Sequence, residues 1–379
     1  MHLSATKHPR KTNWFNHQLL AAFVLTILLP DPRLRATTYT WDGGGSNSNL
    51  GTANNWNPNG APTRTATTND FHFAGSTKLS PVTNTGAWTI HSITFDSGAG
   101  AFNIGTSNGI TLGASGVNSI INNSTNLETI SVGLTLSGGA QSWSANSGDL
   151  TFGSTVNNGG FLLTLNGGND FNFNGVISGT GGLTVNDSGG LVTLAATNTF
   201  TGPVTLTGGT LSVGTINNGG TAGNLGKATN AASNLVFDGG TLQYTGSTAS
   251  TNRSFTINNG KTATIEVTAN TLTMSGAASG GTGALTKTGA GTLILSGNNS
   301  YTGATAVNAG TLQLNGTISS AAVNVNGGAL NINSNNRIID TAAVTIAGGT
   351  LGLGAHTDTV GSLTMSSGTL GGTGTLTAA

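Results

Sequence analysis

From about residue 100 onward, apolar and small polar residues alternate one by one in short runs broken by Gly and Asn. Gly133-Leu-Thr-Leu136, Phe161-Leu-Leu-Thr-Leu165 and Leu293-Ile-Leu295 are examples. A period of two marks strands with one face buried, and no stretch of this region carries the 3.6-residue period of an amphipathic helix. The outward partners are mostly Thr, Ser and Asn. Thr suits both a strand and water.

One phrase recurs six times. It reads Val204-Thr-Leu-Thr-Gly-Gly-Thr-Leu211, Leu235-Val-Phe-Asp-Gly-Gly-Thr-Leu242, Thr305-Ala-Val-Asn-Ala-Gly-Thr-Leu312, Val323-Asn-Val-Asn-Gly-Gly-Ala-Leu330, Val344-Thr-Ile-Ala-Gly-Gly-Thr-Leu351 and Leu363-Thr-Met-Ser-Ser-Gly-Thr-Leu370. From Leu293 the closing Leu residues follow at steps of 19, 18, 21 and 19. A strand-turn-strand unit near 20 residues is the signature of a solenoid and is too short for a four-stranded propeller blade. The expected fold is therefore all-β, a parallel β-helix. Stacking places Leu312, Leu330, Leu351 and Leu370 in one interior column. Val307, Val325, Ile346 and Met365 form a second, and Leu314, Ile332 and Leu353 a third. The gaps from Leu211 to Leu242 to Leu272 read as coils with loop insertions. At about 4.8 Å per coil, residues 101–379 make about 14 coils and a rod of roughly 65 Å. Asn pairs (122–123, 157–158, 217–218, 258–259, 298–299 and 335–336) fall in the turns, where Asn tolerates left-handed backbone and can stack between coils.

Residues 37–100 differ. Trp41, Trp56, Trp88, Phe71, Phe73 and Phe95 cluster there. A solenoid needs an atypical end to cover its outermost coil, so this region reads as an aromatic-rich N-terminal β cap. The rival is an exposed aromatic face for carbohydrate. Ahead of it, residues 1–36 read as a secretory signal peptide: basic Lys7, Arg10 and Lys11, an apolar run from Leu19 to Leu29, and Ala36 at the cut. Retention as an anchor is the other outcome. The apolar run is too short to span a membrane, and no membrane span is expected in the mature chain.

Composition narrows the function classes. Only 6% of the 379 residues are charged, and there is no Cys, so disulfides stabilise nothing. Cleavage after Ala36 removes five of 12 basic and one of 12 acidic residues, leaving 7 against 11, a net charge of −4. That is no footprint for nucleic acid or an anionic membrane.

A longer unit runs from Gly281 to Leu314, with Leu285-Thr-Lys-Thr-Gly-Ala-Gly-Thr-Leu-Ile-Leu-Ser-Gly-Asn-Asn-Ser-Tyr301-Thr-Gly303 at its heart. A divergent copy occupies Gly179 to Val213, with Phe200-Thr-Gly202 where Tyr301-Thr-Gly303 stands. These units, near 179–214 and 281–316, resemble the autotransporter-associated β-strand repeat, and the Trp41, Trp56 and Phe71-x-Phe73 segment looks like the leader region of its secreted members. The resemblance implies a right-handed parallel β-helix, a passenger exported by a Gram-negative-type bacterium, secreted or on the cell surface. The pattern stops at Leu376-Thr-Ala-Ala379 in mid-unit, without barrel strands or a sorting helix, and reads as a truncated C-terminus. A bare edge of this kind invites end-to-end self-association.

Catalytic chemistry finds little footing. The mature acids are dispersed, and only Asp149, Asp170 and Asp187 fall about one coil apart, where a stacked trio would need a cation between its charges. His72, His91 and His356 lack metal-ligand spacing. Gly43-Gly44-Gly45 has no following helix or Lys-Ser, so it is no phosphate cradle. No residue is assigned as catalytic, cofactor-binding or metal-ligating, and no cofactor is expected. The leading reading is a structural or adhesive rod whose Thr/Ser/Asn face meets glycans, extracellular matrix or other surface proteins. A polysaccharide lyase or hydrolase is the alternative, by analogy of fold alone. The column model makes a direct prediction: Leu330→Asp destroys cooperative thermal unfolding, and an unchanged melting curve would sink the stacked columns.

Overall fold

The computed structural model describes residues 36–378, apart from 84–85 and 106–107. The expected leader, except for Ala36, and the last residue lie outside that range. Among the described residues every regular element is a strand, save single 3₁₀ turns at Ala53–Asn55 and Ala232–Asn234. The strands wind into a parallel β-solenoid of about 15 turns.

Each coil lends short strands to three faces. One face runs through Tyr39, Phe71, Ile93, Ile120, Trp143, Leu165, Val185, Leu206, Phe237 and Ile257, each in register with the next. A second carries the longest column: Glu128, Leu150, Phe171, Val192, Leu211, Leu242, Ile265, Lys287, Val307, Val325, Ile346 and Met365. The third begins with Trp88, Ile110, Leu134, Val156 and Ile177. Ala249, Leu272, Leu293, Leu312, Leu330, Leu351 and Leu370 form a further column. Like stacks on like because a parallel ladder in register puts each side chain over its counterpart one coil below. Nearly all these apolar side chains are fully buried, each contributing about 1.5–3 kcal/mol of transfer free energy.

The predicted columns of Leu312–Leu370 and Val307–Met365 are in register as expected. Met365 and Leu370 nevertheless stay 46% and 38% exposed, because no described coil stacks above them. The step from Leu211 to Leu242 is one coil with an inserted loop, as the spacing suggested. The step from Leu242 to Leu272 is not. Leu242 continues to Ile265, whereas Leu272 stacks on Ala249. The recurring phrase thus changes face along the rod. Leu211 and Leu242 share their column with Val307, the residue five places before Leu312. Equal side lengths make the faces interchangeable to a strand-turn-strand unit, so spacing alone does not reveal the slip.

In the N-terminal region Trp41, Trp56, Trp88, Phe71, Phe73 and Phe95 are all fully buried, which opposes an exposed aromatic face. Trp41 packs edge-on to Trp56 with centroids 5.1 Å apart, and Phe73 stacks on Phe95 at 5.5 Å. Trp56 and Asn57 pair antiparallel to Trp41 and Thr40, laying a short strand across the first edge. Aromatic bulk fills the coil interior there, where later coils use Leu, Val and Ile.

The second Gly of the recurring phrase has a backbone cause. At Gly209, Gly240, Gly310, Gly328, Gly349 and Gly368 an added Cβ would lie under 3.0 Å from atoms of the coil below. Gly209 and Gly310 also hold φ of +65° and +61°, which L side chains resist. Gly310→Ala should therefore cost about 2 kcal/mol or more from strain and clash together, read as a lower urea midpoint. A midpoint equal to that of the parent chain would overturn this account of the turn.

Candidate functional site

The Asn residues of the turns act as clamps between coils. Asn158 accepts from Gly181 N and donates to Gly181 O. Asn198 accepts from Ile177 N at 2.7 Å and donates to Asn224 O at 2.8 Å. Asn299 accepts from Ala278 N and donates to Thr317 O, one coil on either side. Their amides satisfy backbone groups at corners where the ladder is interrupted. Amide-to-amide pairs occur on the outside, as in Asn146 to Asn123 and Asn186 to Asn166. Of the predicted Asn pairs, left-handed backbone occurs only at Asn336, with φ of 55°.

The acidic trio is not a three-step ladder. Asp149 accepts from Asp170 N at 3.0 Å, and Asp170 accepts from Leu191 N at 2.8 Å. Asp187 lies apart from that line, fully buried, with one oxygen on Gly190 N and the other unpartnered. Burial raises its pKa, and the charge of Asp170 adds to the rise. Among the described residues no group of three His, Cys, Asp or Glu could hold a metal ion.

The histidines are less solitary than their spacing suggested. His72 Nδ1 lies 2.9 Å from Asp96, and His91 Nδ1 2.7 Å from Asp70. Ser92 donates to the same Asp70 oxygen at 2.5 Å. These three residue types meet in the wrong order for a catalytic triad. The carboxylate stands between Ser and His, whereas a nucleophile needs the imidazole between hydroxyl and carboxylate. Gly43 and Gly45 turn carbonyls, not amides, toward the Lys78 ammonium, the opposite polarity to a phosphate cradle.

Besides Asp187 and Asp358, three charged side chains are buried among the described residues. Glu128 heads the longest column with one oxygen on Phe102 N at 2.7 Å and the other unpartnered. Burial pushes its carboxyl up to about 7. Lys287 occupies the same column, its ammonium donating to the carbonyls of Thr288, Gly289 and Ala309. Burial lowers it to about 8, against the pull of Glu266. Arg253 clamps the inserted loop by donating to Asn217 O, Gly226 O and Ala228 O. Alternation carried the signal for the first two. Glu128-Thr-Ile130 and Leu285-Thr-Lys287 put the charge in the inward phase.

One concavity is lined by Thr317, Ile318, Ser319, Asn336, Ile338, Ile339 and Asp340, with a volume of about 390 Å³. It spans two successive coils, bridged at Ile318 and Ile338. None of its residues had been singled out from sequence for binding, except Asn336 as one of a turn pair.

Comparison with known proteins agrees with the repeat pattern. The profile of the family described as Passenger-associated-transport-repeat matches residues 187–213 and 285–314. Over 162 residues, 42% of the chain, the sequence is 51% identical to the Adhesin BmaC autotransporter of Brucella suis biovar 1 (strain 1330). That stretch spans 5% of the relative's length. No solved structure matches. The repeats are those of autotransporter passengers, and they sit one face out of phase with each other on this solenoid.

The interior charges give a pH prediction. Glu128 binds its proton more tightly folded than unfolded, so stability falls as pH rises from about 4.5 to 7, by ~3 kcal/mol at most. Asp187 and Asp358, both raised by burial, act in the same direction. Lys287 releases its proton more readily when folded, so stability rises again from about 8 to 10.5. Urea midpoints should pass through a shallow minimum between pH 7 and 8. Glu128→Gln should flatten the acid arm and Lys287→Met the alkaline arm; arms unmoved by these changes would refute the assignment.

Proposed function

We propose that the chain is a stretch of a cell-surface adhesin passenger, a rigid non-enzymatic rod exported by a Gram-negative-type bacterium. The observation that carries this reading is the 51% identity over 162 residues to an autotransporter adhesin. The fold is consistent with the role. The interior columns and coil ladders fix the backbone, while outward ladders such as Thr89–Thr111–Thr135 and Thr164–Thr184–Thr205 are half-exposed. Such a surface offers many weak polar contacts, and affinity grows with the number engaged at once. Glycans, extracellular matrix and other surface proteins are the partner classes proposed. The lyase or hydrolase alternative gains no support from Asp70, which stands between Ser92 and His91 and so leaves the hydroxyl without a base.

The test is adherence. Beads coated densely with the full chain should bind cultured cells or matrix-coated surfaces about 10²-fold better than sparsely coated beads at equal total protein. Beads that adhere no better than beads carrying the heat-unfolded chain would overturn the proposal.

A further inference from the structure

Building on the adhesin reading, we propose that the pocket between Thr317–Ser319 and Asn336–Asp340 is a binding site for a neutral saccharide. Its volume of about 390 Å³ lies at the small end of the roughly 300–1,000 Å³ range of small-molecule sites. The floor is aliphatic: Ile318 and Ile338 are buried, and Ile339 stands at the rim 40% exposed. Around it sit the Ser319 hydroxyl, the Asn336 amide and the Asp340 carboxylate. None of these three side chains is tied by a hydrogen bond within the protein, whereas Thr317 is held by Asn298. A carboxylate accepts two hydroxyl protons at once, an amide both donates and accepts, and an aliphatic floor suits the C–H face of a pyranose.

The wall is braced before any ligand arrives. Buried Asp358 accepts from Arg337 N at 2.7 Å and Ile338 N at 3.2 Å, fixing the loop from beneath. The Arg337 guanidinium donates to Asn335 O and Asn315 O, tying the loop to the neighbouring coil. Asn336 N donates to Thr357 O. A preset wall lowers the ordering cost of binding. Charge selects against anions. Asp340 lines the site, its negative charge helps raise Asp358, and the nearby Arg337 guanidinium is engaged by carbonyls. A sialylated or sulfated sugar would meet repulsion, and a lone exposed carboxylate with no second acid beside it in the lining is a weak host for a metal ion.

The full chain should bind neutral glycans on an array and leave their sialylated counterparts empty, with titration of the corresponding methyl glycosides confirming the contact. Asp340→Asn should weaken that binding at least tenfold, and Ser319→Tyr, which fills the cavity, should abolish it. Both variants should keep the parent melting curve and the bead adherence contributed by the rest of the surface. Thr111→Ala, remote from the pocket, should leave saccharide binding unchanged. If beads adhere but no neutral saccharide binds, or if saccharide binding survives both pocket variants, the pocket assignment falls and the adhesin reading stands. Preference for sialylated glycans or for a basic peptide would also overturn the assignment. Loss of bead adherence and saccharide binding alike in the parent chain would overturn both readings.

Discussion

Every other feature of this protein depends on backbone hydrogen bonds between successive coils in parallel register. The ladder brings coils to strand spacing, about 4.8 Å, which decides what each position can hold. Inward positions stack on their own kind, giving columns such as Leu293–Leu312–Leu330–Leu351. At the corners the same approach leaves no room for a Cβ, and Gly209 and Gly310 answer that constraint with both small size and positive φ. Corners also interrupt the ladder, and Asn158, Asn198 and Asn299 supply the donors and acceptors the backbone lacks there. The composition follows: Gly and Asn at corners, Leu, Val and Ile inside, Thr outside, with few charges anywhere.

The few interior charges show how such a scaffold tolerates an uncompensated ion. Lys287 interrupts the apolar run between Leu150 and Met365, yet its ammonium reaches three carbonyl oxygens at a turn. Arg253 does the same for the inserted loop. Turns of a solenoid concentrate carbonyls that have no ladder partner, and a cation on a long stem satisfies several of them. Glu128 is less well served: Phe102 N and the Ser124 side chain reach it, but one oxygen remains unpartnered. Its proton is therefore held up to about neutral pH, while burial brings the Lys287 ammonium down to about 8 despite its three carbonyl partners.

The sequence made the coil period, the strand character and the columns from Val307 and Leu312 legible, because alternation and stacking are both local rules repeated. It hid the slip of the recurring phrase from one face to the next. Ile265 and Lys287 continue the Leu242 column without resembling the phrase, and Leu272 mimics its next member while stacking on Ala249. It also hid contacts between residues some twenty apart that depend on corner geometry, such as His91 with Asp70 and His72 with Asp96. The pocket was illegible for the same reason. Ile318 and Asp340 belong to different coils, and only the outward loop at 336–340 makes them neighbours.

This division between local and stacked information bears on function. The outward ladders carry Thr on some stretches and Gln, Asn or Ile on others, as in Ile294–Gln313–Asn331, so each supplies weak contacts of similar size. Selectivity has to come from a departure from the repeat. The segment at 336–340 is such a departure, since it keeps a single ladder bridge at Ile338, adopts left-handed backbone at Asn336 and is pinned by Asp358 from within. The inserted loop held by Arg253 is another, but its guanidinium is committed to the loop's own carbonyls. Between the two, only the first leaves a carboxylate, an amide and a hydroxyl free around an apolar floor. On the proposed reading, a surface that would bind through multiplicity carries at 336–340 a place where chemistry could discriminate, held in shape by the coils on either side.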